Sequence, residues 1–295
     1  MSYDPQEKPE EKKSIFGVII HSFFVVPFLL AVFSVLLFAA VRILTMEKRT
    51  AYDYLQDVKM GGLTKRWQSA FDLSRIISSK NKEAQDPKFI NGLKDAFESS
   101  KHDDDRVRQY LIMAMAKTGS PVFVDVFLQT IAVEKDENLY AIISGLGILK
   151  DVRAGDALLN FINDDNPRIR LAVVIALGNI YSNTSGDAKT ITALRAKLND
   201  VEPNVVWDAA IALAKMNDRS GKGIILKLMD RSYLNQFKNI DPQAQSKMVA
   251  VAVEVTAAWN DPEINGVLKK LFETDINMNV RSRAKRILEN NVRAN

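Results

Sequence analysis

The sequence predicts an all-α protein, a right-handed solenoid of about five to six helix pairs preceded by one membrane-crossing helix. Three observations predict it. A long uncharged apolar run lies near the N-terminus, from Ser14 to Val41. Capping residues followed by proline punctuate the remainder of the chain. A charged opening that turns into an apolar helix, as in "DNPRIRLAVVIALG" (Asp165–Gly178), recurs with a period in the thirties. The alternating runs and hairpin turns that mark strands are missing.

Composition bounds the function. The chain has 295 residues, of which 47% are hydrophobic and 26% charged, a globular rather than a disordered balance. Its formal net charge of +4 is too mild to require nucleic acid or an acidic substrate. The absence of cysteine excludes disulfides and thiolate metal sites. His21 and His102 are the only histidines, which leaves little for acid–base chemistry.

The apolar run "SIFGVIIHSFFVVPFLLAVFSVLLFAAV" carries no formal charge. As a helix, its 27 residues after Ser14 span roughly 40 Å at 1.5 Å per residue. A hydrocarbon core needs about 30 Å, so the run is long enough to cross once and too short to cross twice. It exceeds the apolar stretch of a cleaved signal peptide and reads as an uncleaved signal-anchor over residues 14–42. Pro27 removes one backbone hydrogen bond mid-span and is expected to kink the helix. His21 reads as a neutral imidazole near the interface, with no second ionisable group in the span to form a relay.

Residues 1–13 form a polar tail. Lys8, Lys12 and Lys13 precede the span, whereas Arg42, Lys48, Arg49, Lys59, Lys65 and Arg66 follow it. That balance favours a cytoplasmic C-terminal side in a plasma (inner) membrane. No Pro or Gly interrupts Arg42 to Met60, and Ala51, Tyr52, Leu55 and Val58 recur near helical spacing. A helical stalk over 43–62, ending at Gly61-Gly62, is therefore expected, with the solenoid over 63–295.

Six of the nine prolines stand at expected helix starts, at Asp86-Pro87, Ser120-Pro121, Asn166-Pro167, Glu202-Pro203, Asp241-Pro242 and Asp261-Pro262. A polar side chain there accepts from the first-turn amides, and proline at the first helical position forfeits no bond. Four later helices then reach a small–large–small triplet: Ala114-Met115-Ala116, Gly145-Leu146-Gly147, Ala176-Leu177-Gly178 and Ala212-Leu213-Ala214. Their centres are 31, 31 and 36 residues apart. First-of-pair helices such as "FINGLKDAFES" and "ITALRAKLND" lie between them. In the Asp165 copy the large residue, Leu177, belongs in the core, while Ala176 and Gly178 let neighbouring helices approach closely.

The "DDNPRIR" turn, the "LAVVIALG" helix and the matching "VEPNVVWDAAIALA" and "DDDRVRQYLIMAMA" resemble HEAT repeats of the short type found in phycobilisome-lyase-like HEAT proteins. The resemblance covers Gln85 to Asn295, with Thr64–Ser79 as one more, degenerate helix. It implies a protein-binding scaffold. The copy after Asp241 departs from the pattern.

No Gly-rich phosphate loop, zinc-type histidine pair or Gly-x-Ser-x-Gly elbow is present. "HDDDR" (His102–Arg106) reads as a solvated helix start, its acids favouring the positive end of the helix dipole. No metal, cofactor, nucleic acid or small-molecule substrate is expected. Tyr140, Leu171 and Trp207 occupy matching positions, either as packing between repeats or as an apolar recognition stripe. Arg108, Arg170 and the basic last helix with Arg281, Arg283 and Arg286 are further candidates for a partner surface. The expected function is a single-pass membrane-anchored scaffold that binds a protein partner and assembles or regulates an integral membrane complex such as a transporter. The alternatives are a HEAT-like enzyme, of chromophore-lyase or DNA-glycosylase type, and a structural subunit acting through its membrane helix.

Overall fold

In the computed structural model, which describes residues 21–45, 49–184 and 186–293, the N-terminal apolar run is helical from His21 onward. Helix α1 (Val26–Thr45) directly follows a π-helical turn at His21–Val25. Proline has no N–H, and its ring crowds the carbonyl four residues earlier. The disturbance expected from Pro27 therefore takes the form of this wider turn. Phe23–Ile43 is long and apolar enough to cross a bilayer, and none of it is buried within the chain. A core helix would be covered, whereas Phe24, Phe28, Leu36 and Phe38 are exposed. A signal sequence passes the same test of length and composition. The tail 1–13 and residues 14–20 of the expected span lie outside the described residues.

The second unit is Ala51–Asn295. Outer and inner helices alternate along it. The first pairs are α2 (Ala51–Met60) with α3 (Leu63–Ile76), α4 (Pro87–Ser99) with α5 (Asp105–Thr118), and α6 (Val122–Thr130) with α7 (Asp136–Leu149). Then come α8 (Gly155–Leu159) with α9 (Pro167–Ile180) and α10 (Ala188–Ala196) with α11 (Pro203–Lys215). In the next pair the outer element is split into α12 (Lys222–Leu228) and α13 (Arg231–Leu234), ahead of inner α14 (Pro242–Val255). The last pair is α15 (Pro262–Thr274) with α16 (Met278–Arg293). The inner helices α3, α5, α7, α9, α11, α14 and α16 stack in one row, each packed on the next. The described residues contain no strand.

The row holds seven pairs, more than the triplet spacing indicates, because the segment expected as a stalk is the first outer helix. Helix α1 ends at Thr45, Arg49 and Thr50 are not helical, and α2 begins afresh at Ala51. Ala51, Leu55 and Val58 are buried in the solenoid core. Tyr52 packs edge-on against Phe89 of α4 with ring centroids 5.1 Å apart, and its hydroxyl donates to Asp86 Oδ2 at 2.6 Å. These contacts reach across to the second pair, so the helix is a repeat element of the solenoid.

The punctuation works as its chemistry requires at four of the six starts, whereas α11 after Glu202 and α6 after Pro121 have no side-chain cap. Pro87, Pro167, Pro203, Pro242 and Pro262 stand in the first helical turn. Asp86, Asn166, Asp241 and Asp261 accept from the amides that helix geometry leaves unpaired there. Pro121 sits one residue earlier, at the cap of α6. The large triplet residues Met115, Leu146, Leu177 and Leu213 are fully buried.

The small residues set the spacing of the row. A Cβ on Gly147 would lie 2.8 Å from Ala176 Cα, and one on Gly178 would lie 2.7 Å from Ala212 Cβ and 3.0 Å from its Cα. The third residue of one triplet thus faces the first residue of the next. Gly145 faces Ala116 in the same way, and its Cβ would lie 3.5 Å from Ala116 Cβ. This regular packing ends at α11. One side of that helix, with Val205, Ala209, Ala212 and Leu213, closes the first core, and the other, with Trp207, Ala210 and Ala214, opens a second.

Gly178→Ala is expected to lower stability by about 1–2 kcal/mol, since overpacking against backbone outweighs the gain in helix propensity. Gly266→Ala, in α15 with open space around the new methyl, is expected to gain about 0.5–1 kcal/mol. Urea unfolding of the detergent-solubilised chain, followed by helical circular dichroism, reads both; equal shifts would remove the close-approach account.

Candidate functional site

Each inner helix is covered by outer helices on one side and by its neighbours along the row. One face stays open. The ninth residue of the inner helices from α3 to α14 marks it: Phe71, Met113, Ser144, Ile175, Ile211 and Ala250, with Val251 beside the last. Phe71 is 37%, Ile175 39% and Val251 42% exposed, and Met113 and Ile211 are half-buried. Four turns from the N-terminus of each helix a second file adds Ile148, which is exposed, with Lys117 and Lys215. These lysines reach back to the preceding inner helix. Lys117 Nζ donates to the Ser74 carbonyl at 2.6 Å and Lys215 Nζ to Asn179 Oδ1 at 2.9 Å. The open face thus carries an apolar file with polar residues beside it.

Asp208 of α11 is half-buried. Burial pushes its carboxyl up to about 6, and the charge of Lys215, two turns further on, draws it partly back. Burial in turn pushes Lys215 down, against the pull of Asp208.

At its C-terminal end the face turns basic. Arg283 Nη1 donates to Glu254 Oε2 at 2.7 Å, and Arg286 Nη2 donates to both oxygens of the same carboxylate at 2.8 and 2.6 Å. A cleft of about 700 Å³ between α14 and α16 is lined by Lys215, Lys247, Val251, Glu254 and Arg283 among others.

The fourth residue of the inner helices has a different task. Arg66, Arg108, Arg170 and Arg281 stand there. Each turns a guanidinium onto a carbonyl at the end of its own outer helix or turn. Arg66 reaches Val58 at 2.8 Å, Arg108 reaches Phe97 at 2.8 Å, Arg170 reaches Asp164 at 2.9 Å and Arg281 reaches Asp275 at 2.6 Å. Carbonyls at a helix end lack intrahelical partners, so this is strong use of a cation. Three of the four then pair with an acid of the next repeat. Arg66 meets Asp103 at 2.5 Å, Arg170 holds Asp200 with two bonds of 3.0 and 2.8 Å, and Arg108 clasps Glu134. The Arg170 guanidinium keeps the Asp200 carboxyl well below the usual carboxylate range.

This geometry sorts the residues singled out from the sequence. Arg108 is 3% exposed and Arg170 is buried, so both hold the repeats together instead of offering a guanidinium to a partner. Trp207 is also buried, donating from Nε1 to the Tyr233 hydroxyl at 3.1 Å and packing edge-on against Phe237 at 4.8 Å. Tyr140 is half-buried beneath the Arg168 guanidinium, 4.2 Å from its ring centroid, and Leu171 is half-buried at the matching position. Arg281 turns to its own turn carbonyl, whereas Arg283 and Arg286 meet around Glu254 on the open face. His102 and its aspartates form no metal cluster, and none is found among the described residues. The apolar file at the ninth position was signalled by residues such as Ile175, which leave their helix apolar on its solvent side.

An all-helical stack of outer and inner helices, with small-residue contacts along its inner row, is an α-solenoid of HEAT type. The HEAT-repeat family matches residues 87–178, 124–214 and 155–233, and the chain is a HEAT-repeat protein. Among solved structures it is similar to the complex of CpcE and CpcF of phycocyanin lyase from Nostoc sp. PCC7120, at 16% identity and a TM-score of 0.55, over 83% of this chain and 96% of that one. It is also similar to an archaeal HEAT-like repeats protein from Thermococcus onnurineus NA1, at 12% identity and a TM-score of 0.43, over 84% and 99%. Human deoxyhypusine hydroxylase aligns at 14% identity and a TM-score of 0.34, over 82% and 84%. At these identities the likeness concerns the fold. Among curated proteins none matches the sequence.

Two outcomes test this division of labour. Arg170→Ala leaves the Asp200 side chain with only Lys197 and the Glu202 amide and is expected to cost about 2 kcal/mol in urea unfolding, whereas Lys189→Ala, at the exposed pair with Asp156, leaves the midpoint unchanged. Asp208 titrates higher folded than unfolded, so its ionisation costs stability as pH rises from about 4 through 6. Asp208→Asn should therefore raise the midpoint at pH 8 and leave it unchanged at pH 4; an equal gain at both would show that charge is not the cause.

Proposed function

We propose that the chain is a single-pass membrane-anchored HEAT-repeat scaffold that binds a protein partner, an integral membrane complex, along the open face of its inner helices. The observation that carries this reading is the file Phe71, Met113, Ile175, Ile211 and Val251. Singly exposed apolar residues need no explanation, but a file of them along the open side of a stacked array is the form of a docking strip. Tyr140 and Leu171 extend it, and Arg283 and Arg286 add charge at one end. The uncovered apolar helix Phe23–Ile43 supports anchoring, and the lysine and arginine balance around it supports a cytoplasmic solenoid. The structure similar in fold is itself a complex of two chains, CpcE and CpcF. That same likeness, to a phycocyanin lyase, favours as a second reading an enzyme of chromophore-lyase type.

The test is purification of the tagged full chain from membranes in mild detergent, with mass spectrometry of what accompanies it. A stoichiometric membrane protein is expected. Ile175→Asp combined with Ile211→Asp should weaken its retention by about thirtyfold, the loss typical of central interface residues, with helical content unchanged. A chain that emerges alone and monodisperse would sink the scaffold reading.

A further inference from the structure

The cleft between α14 and α16 has a chemistry that the apolar file lacks. Lys215, Lys247 and Arg283 line it and Arg286 lines the shallow hollow beside it, which shares Arg283 and Glu254; Glu254 is the single carboxylate in the lining of either. Asp208, on the same helix as Lys215, does not line it. The floor carries Val251, which is 42% exposed, and the half-buried Ala250. Two arginines converge on Glu254, and one of them donates to both of its oxygens. Two guanidinium groups around one carboxylate is the arrangement used to grip carboxylate ligands. Here the gripped group belongs to the chain itself, held on an open surface where water competes for every member; the side chains of Arg283, Glu254 and Arg286 are 39%, 41% and 57% exposed.

We propose that this cleft binds an acidic peptide segment of the protein partner, whose carboxylates take over Arg283 and Arg286 from Glu254 while an apolar side chain rests on Val251. Glu254 is then a built-in competitor, which keeps the arginines positioned and lowers affinity for any ligand too weakly acidic to displace it. Lys247, which is exposed, supplies further positive charge for a neighbouring carboxylate. The excess of cations selects an acidic segment over a basic one, and the apolar floor selects a peptide over a bare anion. The proposal rests on the scaffold reading and assigns the chemistry of one end of its docking face.

The experiment is fluorescence anisotropy on the full chain in detergent. The probe is a fluorescein-labelled Glu-Glu-Leu-Glu-Glu-Leu peptide, and the control carries Lys in place of each Glu. The acidic peptide should bind and the basic one should not, with binding weakened at least tenfold in 0.5 M salt as screening requires. Arg283→Gln combined with Arg286→Gln should weaken binding at least tenfold, and so should Lys247→Gln in part, about threefold. Glu254→Gln should strengthen it about threefold or more, which a merely structural role of these side chains would not produce. Equal binding by the wild type and the double variant, weaker binding by Glu254→Gln, or displacement by inorganic phosphate at the peptide's own concentration would each overturn the assignment. If the double variant still retains a co-purifying partner in full, the peptide site fails while the scaffold stands. If the peptide binds but no partner co-purifies, the reverse holds.

Discussion

Gly147 against Ala176 and Gly178 against Ala212 bring successive inner helices so close that one added methyl group would strike backbone. Much of the solenoid's construction depends on that distance. With small residues on both sides, the large residue between them is directed into the core shared with the outer helices, where Leu146 and Leu177 are fully buried. The same spacing decides what a fourth-position arginine can reach. Arg108 and Arg170 span from their own outer helix or turn to an acid of the next repeat, joining three segments with one side chain. Glycine inside a helix costs about 0.5–1 kcal/mol against alanine. Close packing and these buried ion pairs are what offset it.

Where the small contacts stop, the regular design stops with them. The inner helix after α11 presents Val251, Ala252 and Val253 where earlier helices have small–large–small. Its outer partner is divided into α12 and α13, and the core separates into two clusters that meet on α11. The stapling role also moves. Arg231 of α13, on the outer side, holds Asp275 ahead of the last inner helix with two bonds of 2.8 Å and also reaches Ser246. At α14 itself Gln245 stands in the arginine's place and reaches the Ile240 carbonyl at 3.4 Å, a weaker hold. The cleft opens beside this irregular pair, so the space for a ligand and the break in the repeat have one origin.

The repeats were legible because their signals are local. A cap, a first-turn proline and a triplet lie within one helix, and periodicity does the rest. What could not be read depends on partners far away in sequence. Ala51, Leu55 and Val58 form the same stripe whether their helix is a stalk or the first outer helix; only Tyr52 against Phe89 and Asp86 separates the two. An arginine such as Arg170 looks like a surface anchor until its acid is found 30 residues on. Trp207 looks like a recognition aromatic until Tyr233 and Phe237, from the irregular segment, close over it. Arg283 and Arg286 were visible as charge, but their convergence on Glu254 is a contact between helices that no spacing rule encodes.

The open face changes character along its length, and the change has a physical use. From α3 to α11 its ninth-position file is mainly apolar, Phe71, Met113, Ile175 and Ile211; at α14 and α16 it meets Lys247, Arg283 and Arg286. Apolar contact is non-directional and supplies area, so a file of this kind accepts an apolar strip in either direction. Charge at one end only removes that ambiguity, because an acidic segment placed at the wrong end loses its pairs. Asp208 stands near the transition, beside Lys215 along the same helix. Its carboxylate and the Lys215 ammonium offset each other in charge. The positive end of the face therefore lies beyond them, at Lys247, Arg283 and Arg286, and an acidic segment finds its pairs there.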